Sequence, residues 1–195
     1  MKKIEKGLIT LLIIGLSFFF LRWPFASEFL ILSIGSLALL YMYFGTILFN
    51  DIPIKNILKT IKSKSGRSAK LIAGFLLGFL LAINIIGSLF KFMNWPFAMN
   101  LIFISLAFMI IILIASIILS SKNNSVFYKN VILRFGLWGM LSLMLTLLPK
   151  YAILEYRYAK YPTYIEAFKY YNANPTDENF KLMEEEFEKT LDTSE

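Results

Sequence analysis

Five long apolar stretches, residues 7–21, 29–49, 71–90, 97–119 and 131–148, fill most of the chain before residue 149. A helix that crosses the hydrocarbon core of a bilayer needs about 20 predominantly apolar residues, within a range of about 17 to 25. The last four stretches meet that length. The first is short, unless Ile4 joins it and the stems of Lys2, Lys3 and Lys6 reach out to the headgroups. Composition points the same way. With 57% hydrophobic residues against 17% charged, a soluble domain of this size would lack the polar surface to cover itself. The expected fold is therefore an all-α membrane protein with five transmembrane helices and a short helical C-terminal tail.

Charge divides the chain into two unlike parts. Residues 1–149 carry 14 Lys or Arg and three acids, whereas residues 150–195 carry six Lys or Arg and ten acids. We read 1–149 as a transmembrane domain and 150–195 as an extracytoplasmic tail. Orientation follows from the bias of Lys and Arg toward cytoplasmic loops. One side holds Lys2, Lys3, Lys6, the six basic residues of loop 50–70, and Lys122, Lys129 and Arg134; the other holds only Arg22 and Lys91. Twelve against two places the N-terminus in the cytoplasm and the tail in the periplasm of a bacterial inner membrane. A basic start before an apolar run also fits a signal peptide. Against cleavage stand Pro24, three positions upstream of the best site, and the recurrence of the same segment later in the chain.

That recurrence is the strongest internal pattern. "IIGLSFFFLRWPFASEFLILSI", from Ile13, aligns without a gap on "IIGSLFKFMNWPFAMNLIFISL", from Ile85, with ten of 22 positions identical. The shared tetrad is Trp23, Pro24, Phe25, Ala26 and Trp95, Pro96, Phe97, Ala98. Each copy is predicted to form a helical hairpin: Pro disfavours helix at the residue before it and suits the first turn of a new helix. On this reading Trp23 and Trp95 end one span and Pro24 and Pro96 begin the next. Trp also favours the membrane interface, where its ring is buried and its N–H stays wet. The tetrad is thus a tight turn anchored by Trp or a docking point for a partner. Both hairpins start on the same side, so the copies should be parallel repeats related by an axis along the membrane normal. Gly15 and Gly87 match and suit close helix contact.

The hairpin resembles the transmembrane region of the GldL family, the stator subunits of the gliding-motility and type IX secretion motor of Bacteroidota. The family carries FK-x-x-HWPGA. This chain has "FKFMNWPFA", with Asn94 in place of the family's His and Phe97 in place of its Gly. The likeness covers about 22 residues, twice, and implies a shared hairpin and a Bacteroidota origin. It also implies a membrane-embedded Glu about 14 residues after the Trp, but Leu37 and Met109 stand there. Proton-driven work needs a titratable group in the membrane. The spans as read here contain no acid, so motor activity does not follow from the likeness.

The remaining polar residues are few. Asn84, near the middle of the third span, must find a partner for its amide, through an interhelical hydrogen bond or in coordinating an ion or substrate. Arg134, at the cytoplasmic end of the fifth span, snorkels to the headgroups or lines a pore. Glu28 is expected at the outer interface. The basic loop, with Ile54, Ile57, Leu58 and Ile61 at helical spacing, is either a solvated topogenic loop or an amphipathic helix on the inner leaflet. In the tail, a helix ends at Pro162 and Thr163 with Glu166 forms a capping box. Thr176 caps a final helix whose apolar face is Phe180, Met183, Phe187 and Leu191.

The chain has no Cys and no His, which removes thiolate sites, the commonest metal ligand and the commonest general base. No cofactor, metal site or catalytic residue is expected, and the chain is read as no enzyme. Basic residues lie between apolar runs and not on one aromatic-studded face, which argues against nucleic acid. The expected partners are membrane lipids and a membrane protein or a second copy. The leading function is a non-catalytic subunit or scaffold of an envelope complex; a small channel or transporter is favoured if Asn84, Ser17, Ser33, Ser36 and Ser105 face one polar cavity.

Overall fold

The computed structural model describes residues 1–56 and 68–192. Among them are eight α-helices, one 3-10 turn and no strand. They fall into two compact units, Met1–Leu148 and Pro149–Glu195.

The first unit contains α1 (Lys2–Phe20), α2 (Ala26–Asn50), α3 (Ser68–Phe92), α4 (Ala98–Lys122) and α5 (Val126–Leu147). Four helical segments are long and apolar enough to cross a membrane: Ala26–Asn50, Ala69–Phe92, Ala98–Lys122 and Val126–Leu147. The first helix is not among them. It opens with Lys2, Lys3, Glu5 and Lys6, which leaves residues 7–20, about 21 Å of helix, as its apolar part. Of the predicted amphipathic loop helix, Ile54–Asn56 forms a 3-10 turn; Ile57, Leu58 and Ile61 lie outside the described residues.

Both Trp-Pro-Phe-Ala turns are built in one way, and it differs from the proline-initiated scheme. The first helix of each hairpin stops before the Trp, and the next begins at Ala26 or Ala98, two residues after the proline. The stop is a Schellman motif. Arg22 and Asn94 adopt left-handed φ values of 57° and 54°. The Trp23 N–H then donates to the Phe18 carbonyl at 3.0 Å and the Arg22 N–H to Phe19 at 3.2 Å; Trp95 and Asn94 do the same to Phe90 and Lys91 at 2.8 and 3.3 Å. The hydrophobic contact that accompanies this motif is made by the tryptophans, edge-on to Phe18 at 4.7 Å and to Phe90 at 5.1 Å. Phe25 and Phe97 follow in the left-handed region, at φ 59° and 62°. Bulky residues are rare there.

Within each hairpin a glycine lets the helices close. A β-carbon at Gly15 would lie 2.9 Å from the Phe29 ring, and one at Gly87 would lie 3.0 Å from Leu101. Phe29 and Leu101 are themselves 72 residues apart, as the glycines are.

The hairpins meet along α2 and α3, where three glycines bring backbone onto backbone. A β-carbon at Gly45 would lie 2.7 Å from both the Gly74 carbonyl oxygen and the Gly78 α-carbon. One at Gly78 would press on the Tyr41 carbonyl oxygen. Such close approach through small residues maximises packing where the hydrophobic effect between helices is absent. Next to this seam, Thr46 Oγ1 donates to the Leu71 carbonyl at 3.2 Å and Asn50 Nδ2 to the Lys70 carbonyl at 3.0 Å. The most apolar helix, α4, leaves Phe103, Ile104, Ile111 and Ile118 exposed on its outer side, as a lipid-facing helix would.

The second unit comprises α6 (Ala152–Arg157), α7 (Pro162–Ala173) and α8 (Asp177–Asp192). Pro162 takes the first helical position of α7. The expected Thr163 to Glu166 capping box is therefore not made; Thr163 already sits inside the first turn and hydrogen-bonds Glu186 of α8 instead. Thr176 does cap α8, accepting the Asn179 N–H at 3.3 Å. The apolar face of α8 meets the preceding helix in part, with Phe187 5.4 Å from Tyr164 and Phe180 5.5 Å from Tyr171, while Leu191 is exposed. Burial, with Tyr158 adding, pushes the Tyr164 hydroxyl above its usual range.

Candidate functional site

The first unit's interior holds two polar clusters, and both are anchored on one face of α5. Asn130, Arg134, Trp138 and Ser142 follow one another at four-residue spacing and are all buried. That spacing places them in one stripe along the helix.

The first cluster lies where α1 starts, α2 ends and α5 begins. Arg134 grips Glu5 with two nitrogens: Nε donates to Oε1 at 2.7 Å and Nη2 to Oε2 at 2.6 Å. The Tyr41 hydroxyl donates to Oε1 at 2.6 Å and accepts a longer bond from Trp138 Nε1 at 3.4 Å. Arg134 Nη1 also donates to the Asn130 carbonyl at 3.4 Å, and the guanidinium lies 5.5 Å from the centre of the Phe49 ring. Asn130 Nδ2 in turn donates to the Phe49 carbonyl at 3.0 Å. Glu5 and Arg134 are 7% and 5% exposed, so this is a buried, bidentate pair. The geometry supplies the planar match and the extra hydrogen bonds that a desolvated ion pair needs.

The snorkelling expected of Arg134 does not occur, because a carboxylate is waiting beneath it. Glu5 was the residue that sequence reasoning passed over. It stands among three lysines before the first apolar run, and its burial follows from α1 being helical from Lys2 onward. The interior thus contains an acid, but at the start of α1 and not at the positions of Leu37 and Met109, which are buried.

The second cluster joins α3, α4 and α5. Asn84 is fully buried. Its Nδ2 donates to Ser105 Oγ at 3.0 Å, and its Oδ1 accepts from Ser142 Oγ at 2.6 Å. Ser88 Oγ donates to the Asn84 carbonyl at 3.0 Å and lies 3.3 Å from Ser142 Oγ. Lys91, one turn on, is buried and directs Nζ at the Leu148 carbonyl, 3.3 Å away at the end of α5. A cation at a helix C-terminus meets both the free carbonyls and the negative end of the helix dipole.

The five residues proposed to share a polar cavity do not come together. Asn84 and Ser105 bond each other. Ser33 is buried and bonds the Phe29 carbonyl, whereas Ser17 and Ser36 are exposed, Ser17 bonding the Ile13 carbonyl. Among the described residues no buried side-chain polar atom lacks a hydrogen-bond partner, and no group of three acidic side chains could hold a metal ion.

The tetrads are not in either cluster. Trp23, Pro24 and Phe25, like Trp95, Pro96 and Phe97, are exposed, while Ala26 and Ala98 are buried at the start of their helices. Glu28 is exposed beside the first of these turns. No family model, no curated protein and no solved structure matches the chain.

Proposed function

We propose that this chain is a non-catalytic membrane subunit, a scaffold within a bacterial inner-membrane complex. In this reading α1 to α5 all cross the bilayer, with the N-terminus in the cytoplasm and the tail on the opposite side. The two hairpins are parallel repeats, and their exposed Trp-Pro-Phe tips stand at the same outer level. The observation that carries the scaffold reading is the closure of the polar interior. Glu5, Arg134 and Tyr41, and Asn84, Ser88, Ser105 and Ser142, are engaged with one another, so their hydrogen-bonding capacity serves helix assembly instead of solvating a passenger. A pathway for an ion would need such groups turned toward a water-filled route.

The GldL-like reading of the hairpins is part of this proposal. It is supported by the tetrad and by the left-handed backbone at Phe97, which is where the resembled family has its glycine, the residue best suited to that conformation. Motor activity is no part of it: Leu37 and Met109 offer nothing to titrate, and the acid that the interior does hold, Glu5, is bound to Arg134 and Tyr41.

Reconstitution into liposomes under an imposed pH gradient tests the function. The expected result is proton flux no greater than in empty liposomes, and flux that disappears in Asn84→Ala would replace the scaffold by a transporter. Topology is tested with single cysteines in this cysteine-free chain: Glu28→Cys should react with an impermeant reagent from the outer side only, and Asn123→Cys from the inner side only.

A further inference from the structure

The first helix presents a contradiction that its contacts resolve. It is helical from Lys2 and packs its Gly15 against α2, yet it is too charged at its start to count among the segments apolar enough to span. Lys2, Lys3 and Lys6 are exposed, and long basic side chains can run along the apolar surface to the headgroups. Glu5 cannot do this. Its side chain is short, it is turned inward, and it is buried with its carboxylate held by Arg134 and Tyr41.

Arg134 has the reciprocal problem, eight residues inside the apolar helix α5. An ionised side chain at that position is costly in a bilayer unless it is paired. Each charge removes the other's obstacle. The partners are 129 residues apart in sequence, so α1 is made long before Arg134 exists.

We infer that α1 is a conditional span, one that is held in the bilayer only when Arg134 of α5 is present to receive Glu5. The inference rests on the five-span reading above. It gives the ion pair a definite role, in which Glu5 and Arg134 set whether α1 is in or out. Tyr41 is a positioning residue, since its hydroxyl fixes Oε1 but carries no charge to neutralise the guanidinium.

The test uses the full chain in membranes opened to reagent on both sides, with one cysteine at Ile13. This residue is mid-way along α1 and 59% exposed on the helix surface, so bilayer and water are the alternatives around it. An impermeant maleimide should leave Ile13→Cys unlabelled in the parent. Arg134→Leu should raise its labelling at least about tenfold. The double variant Glu5→Leu with Arg134→Leu should restore protection, because an apolar pair needs no partner. Ile111→Cys, on the exposed face of α4, should stay protected throughout and so distinguish release of α1 from collapse of the bundle. Protection of Ile13→Cys in Arg134→Leu would overturn the inference, as would labelling in the double variant equal to that in the single one. Equal labelling of Ile111→Cys and Ile13→Cys in Arg134→Leu would also overturn it, since the pair would then hold the whole unit. Labelling of Ile13→Cys in the parent would instead sink the five-span reading itself.

Discussion

The two hairpins share a turn and differ in their interiors, position by position. At a spacing of 72, Glu5 and Tyr41 of the first correspond to Leu77 and Leu113 of the second, while Asn84, Ser88 and Lys91 of the second correspond to Leu12, Leu16 and Phe19 of the first. At these five positions each copy is polar where the other is apolar, whereas Ser105 of the second has a buried serine, Ser33, as its counterpart in the first. Both sets of polar groups nevertheless end on the same helix: Arg134 and Trp138 serve the first hairpin, Ser142 and the Leu148 carbonyl the second. A shared backbone scheme has thus been given two distinct addresses on α5, so that neither hairpin can take the other's place without burying an unpaired charge or amide.

This contrast can be broken most severely at the ion pair. Arg134→Leu removes the partner of the Glu5 carboxylate and should weaken the packing of α1 on the rest of the unit by about 3–5 kcal/mol, whereas Glu5→Leu with Arg134→Leu should recover most of that loss. Thermal unfolding in detergent, followed through tryptophan fluorescence, measures both. A double variant as unstable as the single one would mean that the pair does more than neutralise itself.

The seam between the hairpins comes next. Gly78→Ala drives a β-carbon onto the Tyr41 carbonyl, and the helices must part at a cost of about 1–3 kcal/mol. The same substitution at Gly136, where a β-carbon would meet nothing within 4 Å, should be neutral within about 0.5 kcal/mol. In the second hairpin, Asn84→Ala removes the bonds to Ser105 and Ser142. Interhelical hydrogen bonds in membranes average about 0.6 kcal/mol each, so the expected loss is about 1–2 kcal/mol, well below that of Arg134→Leu. A loss as large as that of Arg134→Leu would erase the distinction between a charged and a neutral address.

The smallest effect has the opposite sign. Phe25→Gly and Phe97→Gly each relieve a left-handed bulky residue and should stabilise the first unit by about 1 kcal/mol apiece. Equal gains at the two turns would support their equivalence, and a gain at one alone would show that their surroundings differ.

Hydropathy and the 72-residue offset made the helices and the hairpin turns legible from the sequence, because apolar length and a repeated tetrad are local signals. The pairing of Glu5 with Arg134 was not legible, since it depends on which faces of α1 and α5 meet. The i, i+4 stripe from Asn130 to Ser142 was a signal in plain view, but with a phenylalanine or leucine between most of its members it does not stand out from an apolar run. The roles of the tryptophans were half readable. Their place at the hairpin turn follows from the sequence, whereas the packing of Trp23 on Phe18 and Trp95 on Phe90 follows from a Schellman stop, and that required Arg22 and Asn94 to be recognised as left-handed without a glycine to announce it. Gly45, Gly74 and Gly78 give no such signal in the sequence, because a small residue says that something comes close, not what.

The glycine seam has a consequence for motion. Where side chains separate two helices, rotamer changes allow one helix to roll or slide on the other, but between Gly45, Gly74 and Gly78 there are no rotamers to change. Rolling α3 on α2 would bring a side chain into a gap sized for none, so the seam resists both rotation and translation and joins the hairpins as one stiff plate. No such seam joins α4 to α5, which flank an open apolar groove of about 240 Å³ lined by Leu106, Met109, Gly136 and Gly139.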